Sequence, residues 1–145
     1  MAFVIDKENY KLDEEKTTYL GFKLPFAFGI NSETLNTKTI DNVKDNLINL
    51  LLTTPGDRVF QPNLGVDISN LLFEQMGGDI DQLNAEMREE IETKVRLWMP
   101  FIRINTIDTS ADVDSNIYSI KVSFTFVKTP TINESVQVEI PMGGY

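Results

Sequence analysis

The sequence predicts an α+β fold in which N-terminal helices pack on one face of a C-terminal antiparallel sheet. Across residues 39–98, apolar side chains recur every three or four positions, which is the spacing of helices with one buried face. From residue 101 the period changes to two, which indicates strands with one buried and one wet face. Helices first and strands last, joined by short turns, favour this layered arrangement.

Composition limits the classes of function. The 145 residues carry a net charge of −9 with scattered basic residues, and this disfavours nucleic acid, because phosphate needs lysine and arginine. The chain has no cysteine and no histidine, which excludes disulfides, thiolate zinc sites and the usual catalytic triads. Its start is not a signal peptide, and no run of about twenty apolar residues could span a bilayer. We expect a soluble protein without a membrane partner.

Residues 1–16 are mainly polar, after a short apolar start, and show little periodicity, so we expect an extended or flexible N-terminal arm over residues 1–20. The single α+β domain would then cover residues 21–145. Its entry segment places Phe22, Phe26 and Phe28 at one parity around Pro25, which favours an extended conformation with the rings on a core.

The first helix is predicted over residues 39–52. A type II turn should follow it, because Pro55 and Gly56 suit the second and third positions of that turn and glycine accepts a positive φ cheaply. Arg58 comes next, within reach of the carbonyls left unpaired at the helix end.

An extended link and a short helix are predicted after the turn. Phe60, Pro62 and Leu64 alternate, which predicts an extended link that Gly65 breaks. Asp67 can then cap a short helix, whose inward residues would be Ile68, Leu71 and Leu72.

The longest helix should start after Gly77, Gly78 and Asp79. Its apolar stripe is spaced by threes and fours and consists of Ile80, Leu83, Met87, Ile91, Val95 and Trp98. Pro100 ends the helix, and Trp98 at the end of the stripe is expected in the core rather than at a contact surface.

Three strands are predicted after this helix. Residues 101–108 suit a strand, residues 109–116 a polar turn region, and residues 117–128 a strand whose even positions are apolar from Tyr118 to Phe126. Residues 132–140 repeat the pattern with Ile132, Val136, Val138 and Ile140. A terminal strand is often a sheet edge that can pair with another chain, whereas a self-contained hairpin is the simpler alternative and stays favoured from the residues alone.

No constellation for catalysis or metal binding stands out, so no catalytic, cofactor-binding or metal-binding residue is predicted. Glu74 with Asp79 or Asp81 is the nearest approach to a glycosidase pair, yet acids around a Gly-Gly turn commonly cap helices. Asp112, Asp114 and Asn116 resemble the start of a calcium loop. The required glycine and glutamate are replaced by Ile117 and Ser123, so a hairpin turn is expected.

The segment TTPGDRVFQPNLGVDISNLLFE, residues 53–74, resembles the baseplate-wedge and sheath-initiator family of contractile phage tails. The resemblance covers about residues 21–126 and implies a structural joint made of Pro55, Gly56, Arg58, Phe60, Gly65, Trp98, Pro100 and Arg103. Many relatives have a Glu-Pro-Arg triplet where this chain has Met99, Pro100 and Phe101, which makes Arg103 the nearest equivalent of the arginine and leaves its acidic partner missing.

The resemblance implies a structural protein of a tail baseplate and not an enzyme. Such a protein joins wedge proteins to the first sheath ring and initiates sheath assembly by strand exchange. Its implied partners are other wedge proteins and the tail sheath subunit, with six copies in a baseplate assembled in the host cytoplasm and carried in the virion. The sheath-side strand would contain Val136, Val138 and Ile140. A lysozyme-like cell-wall hydrolase and a type VI secretion baseplate component are the alternatives.

Overall fold

The computed structural model describes residues 21–22, 35–36, 39–74, 79–112 and 114–141. The chain divides into two compact units, Met1–Leu47 and Ile48–Tyr145, with the boundary inside the first helix. The predicted N-terminal arm, residues 1–20, lies outside the described residues, and the single domain over residues 21–145 stays a prediction.

A short antiparallel ladder belongs to the first unit. Strand β1 (Gly21–Phe22) pairs with strand β2 (Leu35–Asn36), so that Phe22 lies opposite Leu35. Phe22 is therefore extended, as the sequence predicts. The rest of the aromatic entry segment, with Pro25, Phe26 and Phe28, lies outside the described residues.

Helix α1 (Thr39–Leu52) has the predicted bounds. Its buried side chains follow the helical period, and Asp41 in the first turn interacts favourably with the helix dipole. These buried residues are Val43, Leu47, Leu50 and Leu51. The helix ends where the amide of Thr53 donates to the carbonyl of Asn49 at 3.0 Å.

Helix α2 (Ile68–Glu74) is short and begins after Asp67. The carbonyl of Asp67 accepts from the amide of Leu71 at 3.1 Å. Its carboxylate accepts from the side-chain amide of Asn70 at 2.9 Å rather than from a helical N–H. The helix start is thus as predicted, but the carboxylate holds a side chain, because Asn70 lies one turn along the same face.

Helix α3 (Ile80–Trp98) is the longest element. The carboxylate of Asp79 accepts from the amide of Asp81 at 3.1 Å, so Asp79 caps the helix. The predicted stripe is buried at Leu83, Met87, Ile91 and Val95. The helix ends at Trp98, before Pro100, because proline disfavours the helical conformation in the residue that precedes it. None of the described helices is long and apolar enough to cross a membrane.

The C-terminal half forms a three-stranded antiparallel meander in the order β3-β4-β5. Its strands are β3 (Ile102–Asp112), β4 (Ile117–Phe126) and β5 (Asn133–Pro141). The α+β class predicted from the sequence is confirmed. Strand β3 is longer than predicted and takes in residues 109–112. Those side chains are mostly exposed, so their sequence lacks the apolar alternation that marks a half-buried strand.

The sheet buries one face. Every even position of β4 is buried, as predicted, and β5 adds Val136 and Val138 to the same face. On β3 the inward parity changes after Ile104, because the pairing register shifts at Asn105 and leaves one extra residue in the strand. Ile102 lies inward before this bulge and Ile107 after it.

Polar contacts fix α3 on this buried face. The side-chain oxygen of Asn84 accepts from the hydroxyl of Tyr118 at 2.8 Å and from that of Thr109 at 2.6 Å. The guanidinium of Arg88 donates to the carbonyl of Ile107. Helix α3 is therefore held to two neighbouring strands by directional bonds in addition to its apolar stripe.

Candidate functional site

The predicted turn after α1 is present. The amide of Asp57 donates to the carbonyl of Thr54 at 3.1 Å, so Pro55 and Gly56 are the second and third residues of the turn. Gly56 has φ +97°, the positive value that the third position of a type II turn requires. The chain reverses here because proline fixes one φ and glycine permits the other.

A backbone hydrogen bond and a close contact of Gly65 close the segment formed by residues 53–66 at its base. The carbonyl of Thr53 accepts from the amide of Val66 at 3.1 Å. Gly65 lies against this carbonyl with φ +114°, and a Cβ there would be 2.1 Å from the oxygen. A further bond joins the amide of Gly56 to the carbonyl of Pro62 at 2.8 Å. The segment is therefore a closed loop that depends on glycine at residue 65.

The tip of this loop differs from the predicted extended link. Two consecutive turns occupy it, since the amide of Gln61 donates to Arg58 at 3.2 Å and the amide of Leu64 donates to Gln61 at 3.1 Å. Phe60 lies in the first turn and is 95% exposed. The closure of the loop at Pro62 and Val66 makes it too short to run straight.

Arg58 contacts a side chain instead of a backbone carbonyl at the helix end. Its guanidinium donates to the side-chain oxygen of Asn49 at 3.1 Å, and Arg58 is exposed. The carbonyl of Asn49 has other donors, because the backbone amide and the hydroxyl of Thr53 both bond to it. The expected contact of Arg58 is therefore replaced by one with the neighbouring amide side chain.

The remaining residues of the predicted joint lie at the end of α3. Trp98 is half-buried, and its indole Nε1 has no hydrogen-bond partner among the described residues. Met99, the next residue, is fully in the core at 5% exposure. Pro100 and Arg103 are exposed and line a hollow of about 370 Å³. The other residues that line it are Glu92, Val95, Arg96, Ile102, Ile104 and Val127.

This hollow mixes charge with apolar surface. Two arginines and one glutamate lie beside valine, isoleucine and proline side chains. Glu92 and Arg103 line it together, although the sequence has no compact Glu-Pro-Arg triplet. The loop residues Pro55, Gly56, Arg58, Phe60 and Gly65 are not among its lining residues. The predicted joint therefore consists of two places in the described structure, and its functional role stays a prediction.

The predicted sheath-side residues lie on the outer strand β5. Val136 and Val138 are buried opposite Val122 and Ile120 of β4, whereas Ile140 is half-buried opposite Tyr118. Their side chains pack inward, so any additional chain would meet the backbone of β5 and not these side chains.

Two of the acidic residues weighed for chemistry, Asp79 and Asp112, have structural partners. Asp112 accepts from the hydroxyl of Ser115 at 2.7 Å and from the amides of Ser115 and Asp114, so it closes the β3–β4 hairpin. These bonds, the Ser115 hydroxyl first, hold the pKa of Asp112 below its ordinary value. Asp79 caps α3, and the side chain of Glu74 lies outside the described part of the chain. Among the described residues, no group of three acids could hold a metal ion.

A family model described as "Baseplate wedge protein gp25" matches residues 37–131. The chain belongs to this family. The match confirms the resemblance to the baseplate wedge family that residues 53–74 indicated. Over 111 residues the chain is 25% identical to baseplate wedge protein gp25 of Enterobacteria phage T4, a match that covers 76% of this chain and 81% of the relative.

Solved structures share the fold of this baseplate wedge protein. One is a proposed tail lysozyme of Geobacter sulfurreducens, with a TM-score of 0.61, 16% identity, and coverage of 81% of this chain and 98% of the other. A second belongs to the baseplate complex of the type VI secretion system, with a TM-score of 0.57, 14% identity, and coverage of 72% and 94%. A third belongs to the baseplate of the anti-feeding prophage, with a TM-score of 0.53, 16% identity, and coverage of 86% of both chains.

Several contacts were not predicted from the sequence. Asn84 and Arg88 tie α3 to β3, the bulge at Asn105 changes the pairing of β3 with β4, and Lys94 donates to the carbonyl of Asn63 at 3.1 Å, which ties the loop to α3. The bulge has a signal in the sequence, because Ile102, Ile104 and Ile107 change spacing from two to three. The other contacts depend on tertiary packing and leave no local pattern.

Proposed function

We propose that this chain is a non-enzymatic component of a contractile tail baseplate that joins wedge proteins to the first sheath ring. Membership of the baseplate wedge family supports the structural baseplate role. The finer proposal is that a strand of the sheath subunit adds to the free edge of β5 and starts sheath assembly. The observation that supports it best is the difference between the two edges of the sheet.

The β3 edge is obstructed. The bulge at Asn105 interrupts the regular ladder, and bulges are one of the devices that protect sheet edges from additional strands. Helix α3 packs against β3, and Arg88 already donates to the carbonyl of Ile107. Helix α3 therefore holds the backbone of β3 by this bond as well as by packing.

The β5 edge is regular by comparison. Nine residues, from Asn133 to Pro141, pair with β4 without a register shift. Within the described residues β4 is the only strand that pairs with β5. Its exposed positions Ser135, Gln137 and Glu139 are polar and keep the second face wet. A regular outer strand with an inward apolar face can accept a further strand through its backbone groups.

This mode of binding is compatible with the intact hairpin. The β4–β5 hairpin is complete in the structure, and an added strand would use the opposite side of β5. The two alternatives weighed from the sequence, a self-contained hairpin and a docking edge, therefore do not compete for the same hydrogen bonds.

The biological setting is part of the same proposal. We place the chain in the virion tail baseplate, assembled in the host cytoplasm, with other wedge proteins and the sheath subunit as partners. Six copies per baseplate are supported by the sixfold symmetry of the anti-feeding prophage baseplate, which contains a protein of the same fold. A type VI secretion baseplate is the alternative setting, because its complex also contains this fold.

Proline substitutions on β5 test strand addition. Neighbouring residues in an antiparallel strand point their amides alternately to β4 and to the free side, so one of Gln137→Pro and Val138→Pro removes only an outward donor. Each is compared with alanine at the same position, which controls for the side chain. Urea unfolding identifies the outward proline as the variant whose stability stays close to that of its alanine control.

Baseplates carrying the outward proline should assemble and fail to polymerise sheath. Electron microscopy of the assembled particles gives this result directly. Normal sheathed tails from that variant would contradict strand addition at β5, while leaving the baseplate role intact.

A cell-wall hydrolase is the second candidate, because one protein of the same fold is a proposed tail lysozyme. The structure favours it less, since Asp79 caps a helix and neither Asp79 nor Asp81 lines the hollow beside Arg103. A muramidase assay on the purified chain should show no turnover. Turnover that is lost in Glu74→Gln would establish the hydrolase instead.

A further inference from the structure

The tip of the closed loop carries two large apolar side chains in solvent. Val59 is 88% exposed and Phe60 is 95% exposed. They occupy the two central positions of the turn in which the amide of Gln61 donates to the carbonyl of Arg58. Central turn positions favour glycine, proline, asparagine, aspartate and serine, each for a conformational reason. Valine and phenylalanine offer the turn no such benefit, so their presence calls for a reason outside the fold of this loop.

Hydrogen bonds hold the tip in place. The amide of Gly56 donates to the carbonyl of Pro62 at 2.8 Å below the tip, and the amide of Leu64 donates to the carbonyl of Gln61 at 3.1 Å. Lys94 of α3 donates to the carbonyl of Asn63 at 3.1 Å. A side chain presented by a fixed loop loses little conformational freedom when it binds, which favours affinity.

We propose that Val59 and Phe60 form a knob that inserts into an apolar pocket of a different wedge protein. This inference rests on the proposed baseplate role. The knob has no hydrogen-bonding side-chain atoms, so its pocket must be apolar, and a single aromatic anchor in a desolvated pocket is typical of the dominant residues of protein interfaces. Asp57 and Arg58 directly precede the knob and are exposed, so they can pair with opposite charges at the rim of the pocket.

Other occupants fit the observations less well. The net charge of −9 repels an anionic membrane surface, so the valine–phenylalanine pair is not expected to enter one. A second copy would have to offer an apolar pocket, and two hollows of the described residues carry charge: the one near the end of α3 has Glu92, Arg96 and Arg103, and the one between α2 and α3 has Asp67, Glu86, Glu89 and Glu90. A heterologous wedge protein is therefore the occupant that the chemistry favours.

The test measures binding of the full chain to a purified wedge assembly that lacks it. Phe60→Ser should weaken binding roughly tenfold or more, and Val59→Ser should weaken it less, because an aromatic anchor contributes more than a smaller neighbour. Leu97→Ser is the matched control, since Leu97 is also apolar and 63% exposed but lies on α3. It should bind like the wild type, and all three variants should unfold at the same urea concentration as the wild type.

Each result decides the matter. Wild-type affinity in Phe60→Ser, or an equal loss in Leu97→Ser, would overturn the knob while the baseplate role stands. Self-association of the wild-type chain that Phe60→Ser abolishes in sedimentation would assign the knob to a second copy and overturn the heterologous partner. A wild-type chain that does not bind the wedge assembly would contradict the baseplate role itself.

Discussion

Gly65→Ala is the substitution that should most damage the closed loop after α1. Residue 65 has φ +114°, and a Cβ there would lie 2.1 Å from the oxygen and 2.8 Å from the carbon of the Thr53 carbonyl. Both atoms belong to the backbone, so no side chain can rotate away. Gly56 provides a matched control, because it also has a positive φ, +97°, but a Cβ there meets nothing within 4 Å.

The magnitude follows from the geometry. Opening the contact from 2.1 Å to 3.0 Å, below which real Cβ contacts essentially never occur, needs a backbone shift of about 0.9 Å. Such a shift is enough to break the 3.1 Å bond from the amide of Val66 to Thr53, which is buried. Leaving a buried carbonyl unpaired costs about 1–3 kcal/mol. The positive φ adds about 1–2 kcal/mol for an L-residue.

Urea unfolding of the two alanine variants separates these contributions. Gly65→Ala should lose about 2–5 kcal/mol of unfolding free energy, and Gly56→Ala about 1–2 kcal/mol, because only the conformational cost applies there. Losses of equal size in the two variants would refute the close approach of Gly65 to Thr53 as the feature that closes the loop.

Two further perturbations test the rest of the fold. Asn84→Ala removes the acceptor shared by Tyr118 and Thr109 and should cost about 2–3 kcal/mol in urea unfolding, whereas Tyr118→Phe should cost about 1 kcal/mol; equal losses would contradict a shared acceptor. The folded-state pKa of Asp112 lies below its ordinary 3.8, so its stabilising contribution is present above pH 3.8 and is lost as the pH falls through the folded value. The stability difference between the wild type and Asp112→Asn should therefore shrink as the pH falls below 3.8, and a constant difference would show that the carboxylate charge is not what closes the hairpin.

Local patterns predicted most of the elements. The stripe from Leu83 to Val95 and the even positions of β4 are periodic because each element buries one face, and that periodicity is visible in the sequence. The turn at Pro55 and Gly56 could also be predicted from the sequence, since only a few residue types suit its dihedral angles. In each of these features the conformation of a segment depends on the residues of that segment alone.

Features that depend on other segments were missed. Residues 109–112 continue β3 although their side chains are mostly exposed and polar, because pairing with β4 holds them in the sheet. The loop tip turns twice because its ends are tied at Pro62 and Val66, which the alternation of Phe60, Pro62 and Leu64 could not indicate. The partner of Arg58 likewise depends on where Asn49 lies on the preceding helix.

Cryo-electron microscopy of assembled tails tests the proposed function most directly. The decisive feature is the pairing of β5, from Asn133 to Pro141, in the particle. Strand addition predicts a fourth strand from the sheath subunit, hydrogen-bonded along β5, with β3 still covered by α3. A sheath subunit that contacts this chain only elsewhere, with the β5 edge unpaired, would contradict it.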